Sequence, residues 1–396
     1  MIQNSKNHHR FTLTLILLVV PLSGAGIDIY VPSLPAIQSS MGVSHFAAKV
    51  TVALYLFGYG FGQLIIGPLS DRYGRRWIVI VSLLLYALSS FGASVSPNIE
   101  FLWVMRIIQG AVVSGILVPA RASISDLFTG TAYLKAMNYS TVAWAMGPIL
   151  APAIGGYLQV WGGWHVPFYA LALYSAVMAI IMLLVFKETK RKTTDKFIPL
   201  RQLVVNYGHM LRSFEFMAGV ACLSLLYSVL TVFNVVGPFL IQSQLGLSPI
   251  FYGHVALWLG LAWFLGTVSY RFAIRFSALR VGLSYLSVAV LIALSMVIES
   301  VLYGLSVWGV VLPTLVLGFC AGAVFSQLYG RCIALYPNTP ASAGALMGSI
   351  FVVGAGLVSA LASQWQIVGL LPLALINFGL VLSAAVLFLR QNASLG

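Results

Sequence analysis

The chain has 396 residues, of which 60% are hydrophobic and 7% are charged, and its mean hydropathy is +0.98. A composition this apolar excludes a soluble globular domain, because long uncharged apolar stretches are typical of membrane-spanning segments. The formal net charge of +13 suits binding to nucleic acid or to anionic lipid, and the positions of the basic residues bear on that choice.

Apolar runs of about 20 residues, long enough to cross a bilayer as a helix, recur along the whole chain. They do not alternate as the strands of a membrane β-barrel do, so the prediction is an all-α membrane protein. The first run is too long for a signal peptide and has no clear cleavage site, and we expect it to be retained. We predict twelve transmembrane helices, called spans 1–12, near residues 11–33, 46–67, 77–95, 100–122, 137–158, 165–187, 215–240, 249–271, 280–299, 305–330, 342–363 and 368–390.

Lysine and arginine concentrate near the termini and in the links after even-numbered spans. Neither residue occurs in the links after odd-numbered spans, around 34–45, 96–99, 159–164, 241–248, 300–304 and 364–367. The positive-inside rule therefore predicts that both termini and the basic links face the cytoplasm. Topology explains the excess charge, with anionic lipid headgroups as its partner, and nucleic acid is not needed. Lys49 and Arg106 depart from the pattern, and we expect Lys49 to extend to the outer surface.

Span 1 contains Asp28, the one carboxylate well inside a predicted span. Arg106 lies six residues into span 4, and at 1.5 Å per residue both side chains lie about 9 Å from the outer boundary. Charges inside a membrane are costly and usually functional. Because Asp can release and regain a proton whereas Arg cannot, we predict that Asp28 and Arg106 couple transport to protons. The alternative is a fixed salt bridge between spans 1 and 4.

Link 2–3 reads GPLSDRYGRR (67–76) and has four charged residues in ten. At the cytoplasmic boundary these charges are tolerated, and the two glycines allow a tight turn. We predict a conformational gate in which Asp71 makes a breakable contact with the other half of the protein. The alternative is a local pair of Asp71 with Arg72 or Arg75 that only shapes the turn. The predicted gate comprises Gly67, Asp71, Arg72, Gly74, Arg75 and Arg76.

The chain also contains an internal repeat. The segment GTVSYRFAIR (266–275) shares Gly, Ser and two Arg positions with link 2–3 and lies almost half the chain away from it, and NVVGPFL (234–240) is similar to DIYVPSL (28–34). Duplicated halves are typical of secondary transporters. We predict an N-terminal six-helix bundle at 1–187, a cytoplasmic linker at 188–214 and a C-terminal six-helix bundle at 215–396.

Span 5 contains MGPILAPAIGGY (146–157), rich in small residues and proline. Small residues let helices approach closely and prolines bend them. Ordinary close packing and a role in movement between the halves are both compatible with this composition. The residues concerned are Gly147, Pro148, Pro152, Gly155 and Gly156.

Polar and aromatic residues within the spans are candidates for an apolar substrate site, since such sites combine aromatic walls with a few polar groups. We predict substrate-binding roles for Tyr30, Tyr55, Gln109, Trp144, Tyr227, Phe233, Asn234, Trp258 and Tyr329. His254 in span 8 titrates near neutral pH and is a further candidate for proton coupling. A purely structural role is the alternative for His254.

Three motifs resemble the major facilitator superfamily. GPLSDRYGRR is similar to its loop 2–3 signature, RIIQG (106–110) to its span 4 motif, and GPILAPAIGG (147–156) to the span 5 motif of its drug:proton antiporters. IDIYVPSLPAI (27–37) resembles the start of the Bcr/CflA-like branch, which includes bicyclomycin, chloramphenicol and florfenicol exporters. That branch often carries Arg directly before the Asp at the end of span 4, where this chain reads SISD (123–126) and the nearest basic residue is Arg121.

The resemblance implies a monomeric major facilitator fold of two pseudo-symmetric six-helix bundles. It places spans 1 and 4 at a central cavity, so that we expect an ion pair between Asp28 and Arg106. It also implies that the span 5 motif lies at the interface of the two halves.

We predict a proton-coupled secondary transporter of the bacterial inner membrane that exports small organic molecules, such as drugs, antibiotics or amphiphilic metabolites, by alternating access. The alternative is a proton-coupled importer of a solute such as a siderophore or nutrient. A membrane enzyme is disfavoured because the sequence has no P-loop, no HExxH and no paired carboxylates. We expect no cofactor besides the proton gradient, and the three cysteines indicate neither a metal site nor a disulfide framework.

Overall fold

The computed structural model describes residues 2–190, 200–273, 275–337, 339–365 and 368–393. Within these ranges the prediction of an all-α membrane protein is confirmed, because twelve helices are long and apolar enough to cross a membrane and no strand occurs. Residues 191–199 of the predicted linker lie outside the described residues.

Span 1 is a series of short elements. Its helices are Ile2–Val19, Leu22–Asp28 and Leu34–Met41, and a 3₁₀ turn, Val31–Ser33, precedes the third. Proline cannot donate a helical hydrogen bond, and prolines occur at 21, 32 and 35, where the elements meet. As a result, Asp28 is the last residue of a helix that ends inside the span.

The other spans are mostly continuous helices. Spans 2–6 are His45–Tyr73, Arg75–Ser94, Ile99–Leu127, Gly130–Gly162 and Val166–Val185. A short helix, Leu200–Arg212, follows in the central link. Spans 7–12 are Phe214–Pro238 with a π-helical turn Phe239–Gln244, then Pro249–Ala273, Ala278–Leu302, Val307–Ala334, Pro340–Gln364 and Leu371–Ala393.

Spans 2 and 11, and spans 5 and 8, form two seams between the N-terminal half (1–187) and the C-terminal half (215–396). Glycines permit the close approach. A Cβ added to Gly60 of span 2 would lie 3.0 Å from the Ser349 carbonyl oxygen of span 11, and one added to Gly156 of span 5 would lie 2.7 Å from the Pro249 carbonyl oxygen of span 8. The backbones of the two halves therefore lie almost in contact.

The two ends of the molecule differ in how the halves meet. We call the end with the links after spans 2, 4, 6, 8 and 10 the basic end, and the opposite end the non-basic end. At the non-basic end, Gln242 Nε2 donates to the Pro32 carbonyl oxygen at 2.9 Å, and the rings of His45 and Phe239 lie 4.9 Å apart. The halves are therefore closed on each other there.

Three glycines near the basic end have open space beside them. A Cβ added to Gly67, Gly330 or Gly344 would meet no atom within 4 Å, although Arg271 donates to the Asn138 side chain at 3.4 Å near the surface. These three glycines are therefore not part of a close helix–helix contact, unlike Gly60 and Gly156.

Candidate functional site

Asp28 joins the two halves through a hydrogen bond inside the membrane. Its side chain is 6% exposed, and Asn234 Nδ2 of span 7 donates to Asp28 Oδ1 at 2.5 Å. The Tyr252 hydroxyl of span 8 donates to Asn234 Oδ1 at 3.3 Å, and its ring stacks on Phe233 at 5.7 Å. Asn234 thus binds the carboxylate from the opposite half, and Tyr252 and Phe233 hold Asn234 in place.

Arg106 lies in an aromatic cage with 0% exposure. Its guanidinium lies 4.1 Å from the ring centre of Tyr30 and 4.3 Å from that of Tyr55. Nη1 donates to the Gly26 carbonyl oxygen at 3.1 Å and to Gln109 Oε1 at 2.7 Å. Cation–π contacts stabilise such a charge best when it is desolvated, so the cage compensates part of the cost of burying Arg106.

The residues around Arg106 are themselves held by hydrogen bonds. Gln109 Nε2 donates to the Ser90 hydroxyl of span 3 at 2.7 Å, and the Tyr30 hydroxyl bonds to Thr51 of span 2 at 2.9 Å. Tyr30, Tyr55 and Gln109 are fully buried. In this conformation they position Arg106 and have no surface for the predicted substrate contacts.

The predicted ion pair between Asp28 and Arg106 is not formed, since no nitrogen–oxygen distance between them falls within 4 Å in the described structure. The reason is competition, because Asn234 binds the carboxylate and Gly26 and Gln109 bind the guanidinium. The two charges remain within electrostatic range of each other. In this conformation the carboxylate is therefore bonded to the opposite half and not to the arginine.

An aromatic cluster lies in the C-terminal half towards the basic end. Its ring centres are 5.3–6.4 Å apart, and every member is half-buried. The aromatic cluster comprises Tyr227, Trp263, Phe325, Tyr329 and Phe351. Tyr227 and Tyr329 were predicted from the sequence, and the other three were missed. In the sequence these three resemble the other aromatics of the spans, so no signal there marked them.

Three further predicted residues lie apart from the cluster. Trp144 is half-buried on span 5. Trp258 is 59% exposed on the outward face of span 8, one helical turn after His254, which is also exposed. His254 Nε2 bonds to the Tyr157 hydroxyl of span 5 at 3.2 Å. The structure therefore does not bring His254 or Trp258 together with Asp28.

The expectation that Lys49 extends to the outer surface was wrong. Instead of extending to the surface, it is 1% exposed, and its Nζ donates to the Trp365 carbonyl oxygen of the other half at 3.3 Å. Nζ also lies 5.3 Å from the ring centre of Phe239. Because the C-terminal half covers this end of span 2, Lys49 forms part of the closed non-basic end.

The predicted gate residues of link 2–3 bond within the N-terminal half. Arg75 Nη1 donates to Asp71 Oδ1 at 2.5 Å and to Ser70 Oγ at 3.1 Å, and Arg75 Nε donates to Asp126 Oδ2 at 3.2 Å. Gly74 has a φ of +95°, which favours glycine at this turn. Asp71 thus forms the local pair with Arg75.

Arg72 and Arg76 complete the turn. The Arg72 carbonyl oxygen accepts from Lys190 Nζ at 3.2 Å, and Arg76 Nη2 donates to the Leu183 carbonyl oxygen at 2.8 Å. Gly67 has open space beside it. The start of the central link is therefore held against the turn between spans 2 and 3.

Glu188, which sequence analysis did not single out, caps span 3. Its carboxylate accepts from the backbone N–H groups of Arg75, Arg76, Thr189 and Lys190 at 2.9–3.2 Å. Burial acts to raise the pKa of Glu188, but these four donors outweigh it and lower the pKa below its ordinary value of 4.5. The available signal was an acid, Glu188, directly after span 6 at the start of a basic stretch.

Replacing Glu188 with Gln should lower the thermal stability of the purified protein at neutral pH, because an amide is a weaker acceptor for the N-terminus of a helix. A carboxyl whose pKa is lowered by folding stabilises the folded state above its ordinary pKa, and that stabilisation is lost as the pH falls through the lowered value. The melting-temperature gap between wild type and Glu188→Gln should therefore close below pH 4.5. An unchanged gap in acid would contradict this assignment, and Glu100→Gln, on the exposed start of span 4, serves as control.

The span 5 motif lies between span 1 and span 8. Gly147 faces the Pro21 backbone and Gly155 the Ile29 backbone of span 1, while Pro152 and Gly156 face Gly253 and Pro249 of span 8. Pro148 lies against Gly24. The motif thus connects the broken span 1, which carries Asp28, to the opposite half.

Gly155→Ala should destabilise the protein by about 1–3 kcal/mol, the usual effect of overpacking. The added Cβ would lie 2.7 Å from the carbonyl carbon of Ile29 and closer still to its oxygen, and backbone cannot yield as a flexible side chain can. Gly344→Ala is the matched control, since no atom lies within 4 Å of its added Cβ and Ala favours helices by up to about 1 kcal/mol. Equal melting temperatures for the two variants would refute the packing argument.

Residues 16–363 match the family model of the Major Facilitator Superfamily. The chain belongs to the Major Facilitator Superfamily. As a twelve-span member with bacterial relatives, it is a multi-pass transporter of a bacterial inner membrane.

Three relatives indicate the group within the superfamily to which the chain is similar. The chain is 29% identical over 372 residues to the MFS-type transporter YdgK of Bacillus subtilis, covering 91% of this chain and 90% of the relative. It is 26% identical over 360 residues to Multidrug resistance protein D of Escherichia coli, covering 89% and 88%. It is 30% identical over 201 residues to the bicyclomycin resistance protein homolog of Haemophilus influenzae, covering 51% and 50%. These relatives confirm the resemblance to the drug:proton antiporter group.

The major facilitator fold is confirmed by a solved structure as well. A bacterial homologue of the human lysosomal transporter Spinster, in an inward-facing and occupied conformation, superposes with a TM-score of 0.74 at 15% identity, covering 98% of this chain and 97% of that one. At this identity the likeness shows the fold alone.

Proposed function

We propose that this transporter exports small organic molecules in exchange for protons. The observation that carries the proposal is the Asn234–Asp28 hydrogen bond of 2.5 Å between the halves. A titratable carboxylate that bridges the two moving halves can link its protonation to their movement. The names of the multidrug and bicyclomycin resistance relatives support a drug-type substrate.

The proposed cycle starts from the conformation described here. Substrate enters from the basic end, which we place in the cytoplasm on the positive-inside rule, while Asn234 holds Asp28. When the non-basic end opens, spans 1 and 7 separate and the Asp28 carboxylate meets the outer solution, where a proton binds as substrate leaves. Return to the closed state releases the proton to the cytoplasm.

We also propose that the protein acts as a monomer and that anionic lipids contact its basic end. The helix Leu200–Arg212 supports the lipid contact, because Met210 and Tyr207 pack on the C-terminal half while Val204 and Leu211 remain exposed. An amphipathic helix with basic residues on its polar side lies in the membrane interface. No cofactor besides the proton gradient enters the proposal.

Accumulation of radiolabelled chloramphenicol and other antibiotics in cells that express the protein tests export against import. Export predicts that a protonophore raises accumulation relative to cells carrying an empty vector. Import, the alternative, predicts that the protonophore lowers it. If the protonophore changes the accumulation of none of the transported compounds, proton coupling is refuted.

A further inference from the structure

A small cavity, which we call the interhalf cavity, lies between the two halves at the closed non-basic end. Its volume is about 110 Å³, and it is lined by two residues of span 2 and three of the π-helical turn of span 7: His45, Lys49, Phe239, Ser243 and Gln244. His45, Ser243 and Gln244 are exposed, whereas Lys49 and Phe239 are 1% and 2% exposed. The interhalf cavity therefore leads from the surface to a buried ammonium group.

The ammonium of Lys49 has few partners for a buried charge. It carries three N–H donors, and Nζ donates to the Trp365 carbonyl oxygen at a long 3.3 Å and lies 5.3 Å from the centre of the Phe239 ring. Among the described residues, no carboxylate lies within 4 Å of it. A buried charge that lacks an opposite charge is costly, so an anion beside Nζ would stabilise this arrangement.

The rest of the lining favours an anion over a cation. No lining residue is acidic. The His45 ring lies edge-on to Phe239 with centres 4.9 Å apart, so an imidazole and the ammonium of Lys49 contact the same ring. The Ser243 hydroxyl can donate, and Gln244 Oε1 already accepts from the Gly369 N–H at 2.9 Å. An anion in the interhalf cavity thus meets donors, whereas a second cation meets repulsion.

We propose that the interhalf cavity binds a small inorganic anion of the chloride class, held by Lys49 Nζ. A buried water needs about 10–15 Å³, so a cavity of about 110 Å³ has room for one chloride ion with water around it. Because both halves line it, the site exists only while the non-basic end is closed. The bound anion therefore stabilises the closed conformation, whatever molecule the protein transports.

Melting temperatures of the purified full-length protein near neutral pH test the proposal, with chloride and gluconate compared at equal ionic strength. Gluconate has the same charge as chloride but is too bulky for the interhalf cavity. We expect chloride to raise the melting temperature and the rise to saturate at millimolar concentration, as for a ligand that binds only the folded state. Equal melting temperatures in the two salts overturn the proposal.

Substitutions locate the anion. Lys49→Gln should remove most of the chloride effect, and Lys49→Arg, which keeps the charge, should retain part of it. Ser243→Leu alters an exposed position and should block the cavity, which provides a test even if Lys49→Gln fails to fold. Arg280→Gln, at an exposed cation of the basic end, should respond to chloride like wild type. An undiminished chloride effect in Lys49→Gln or in Ser243→Leu is a general salt effect and refutes the site.

The distance between spin labels on Ser39→Cys and Val368→Cys tests the link to closure. Both positions are exposed at the non-basic end, one in each half, and the three native cysteines are buried and should not react. We expect a larger fraction of molecules at the short, closed distance in chloride than in gluconate, and Lys49→Gln should remove this difference. Equal fractions in the two salts for the labelled protein would refute the link to closure.

Discussion

Asp28→Asn is expected to reduce proton-driven transport in proteoliposomes to the level of protein-free liposomes. The variant keeps the shape of the side chain, and its amide oxygen can still accept the hydrogen bond from Asn234 Nδ2. What it loses is the exchangeable proton, because an amide does not titrate in the accessible pH range. The fold should therefore persist while coupling fails.

The measurement is substrate accumulation driven by an imposed pH gradient, together with substrate exchange at equal pH. Exchange that needs no net proton movement should survive in Asp28→Asn, which distinguishes lost coupling from an inactive protein. Glu100→Gln removes an exposed acid at the start of span 4 and should transport like wild type. Full pH-driven accumulation by Asp28→Asn would show that another group carries the proton.

Arg106→Met is expected to lower proton-driven transport by about tenfold or more, equivalent to about 1.4 kcal/mol. Arg106 is the cation within electrostatic range of Asp28, and without it the ionised carboxylate has no balancing charge at that depth. The variant also leaves the Gly26 carbonyl oxygen and Gln109 Oε1 without their donor, and removing one buried charge while its partner stays usually destabilises a protein. The melting temperature should therefore fall as well, so transport is measured well below it.

Two further variants test the role of the cage. Gln109→Leu leaves the guanidinium in place but removes its 2.7 Å hydrogen bond, and we expect a smaller loss of transport with a changed pH profile. Arg280→Met removes an exposed cation at the start of span 9 and should have no effect. If folded Arg106→Met, measured below its melting temperature, shows full proton-driven transport, the coupling role of the guanidinium is refuted.

The expected ion pair of Asp28 and Arg106 shows how far depth along a helix can predict contacts. Counting residues placed both groups at a similar depth, but depth does not determine which partner each group faces. A helix within span 1 ends at Asp28, and this break turns the carboxylate towards span 7. The partner Asn234 is 206 residues away in the chain; the internal repeat places it at the position equivalent to Asp28, but such an equivalence does not predict a contact.

The expectation for Lys49 was wrong, and three members of the aromatic cluster were missed, for a related reason. A lysine near the end of a span normally extends to the surface, and only the closure of the two halves buries it under Trp365 and Phe239. Trp263, Phe325 and Phe351 look like any other membrane aromatics in the sequence. They cluster because three spans pack together. Trp258, which lies five positions before Trp263 in the same span, faces outwards instead.

Hydropathy, the distribution of Lys and Arg, and three short motifs were enough to predict an all-α transporter of twelve spans in this family. These properties are readable because each depends on single residues in their own segment: a span must be apolar to enter lipid, and a turn with positive φ needs glycine. The closed non-basic end, the Asn234–Asp28 bridge and the cage around Arg106 were decided by tertiary structure. Each depends on the relative rotation and spacing of helices distant in the chain, which local composition does not encode.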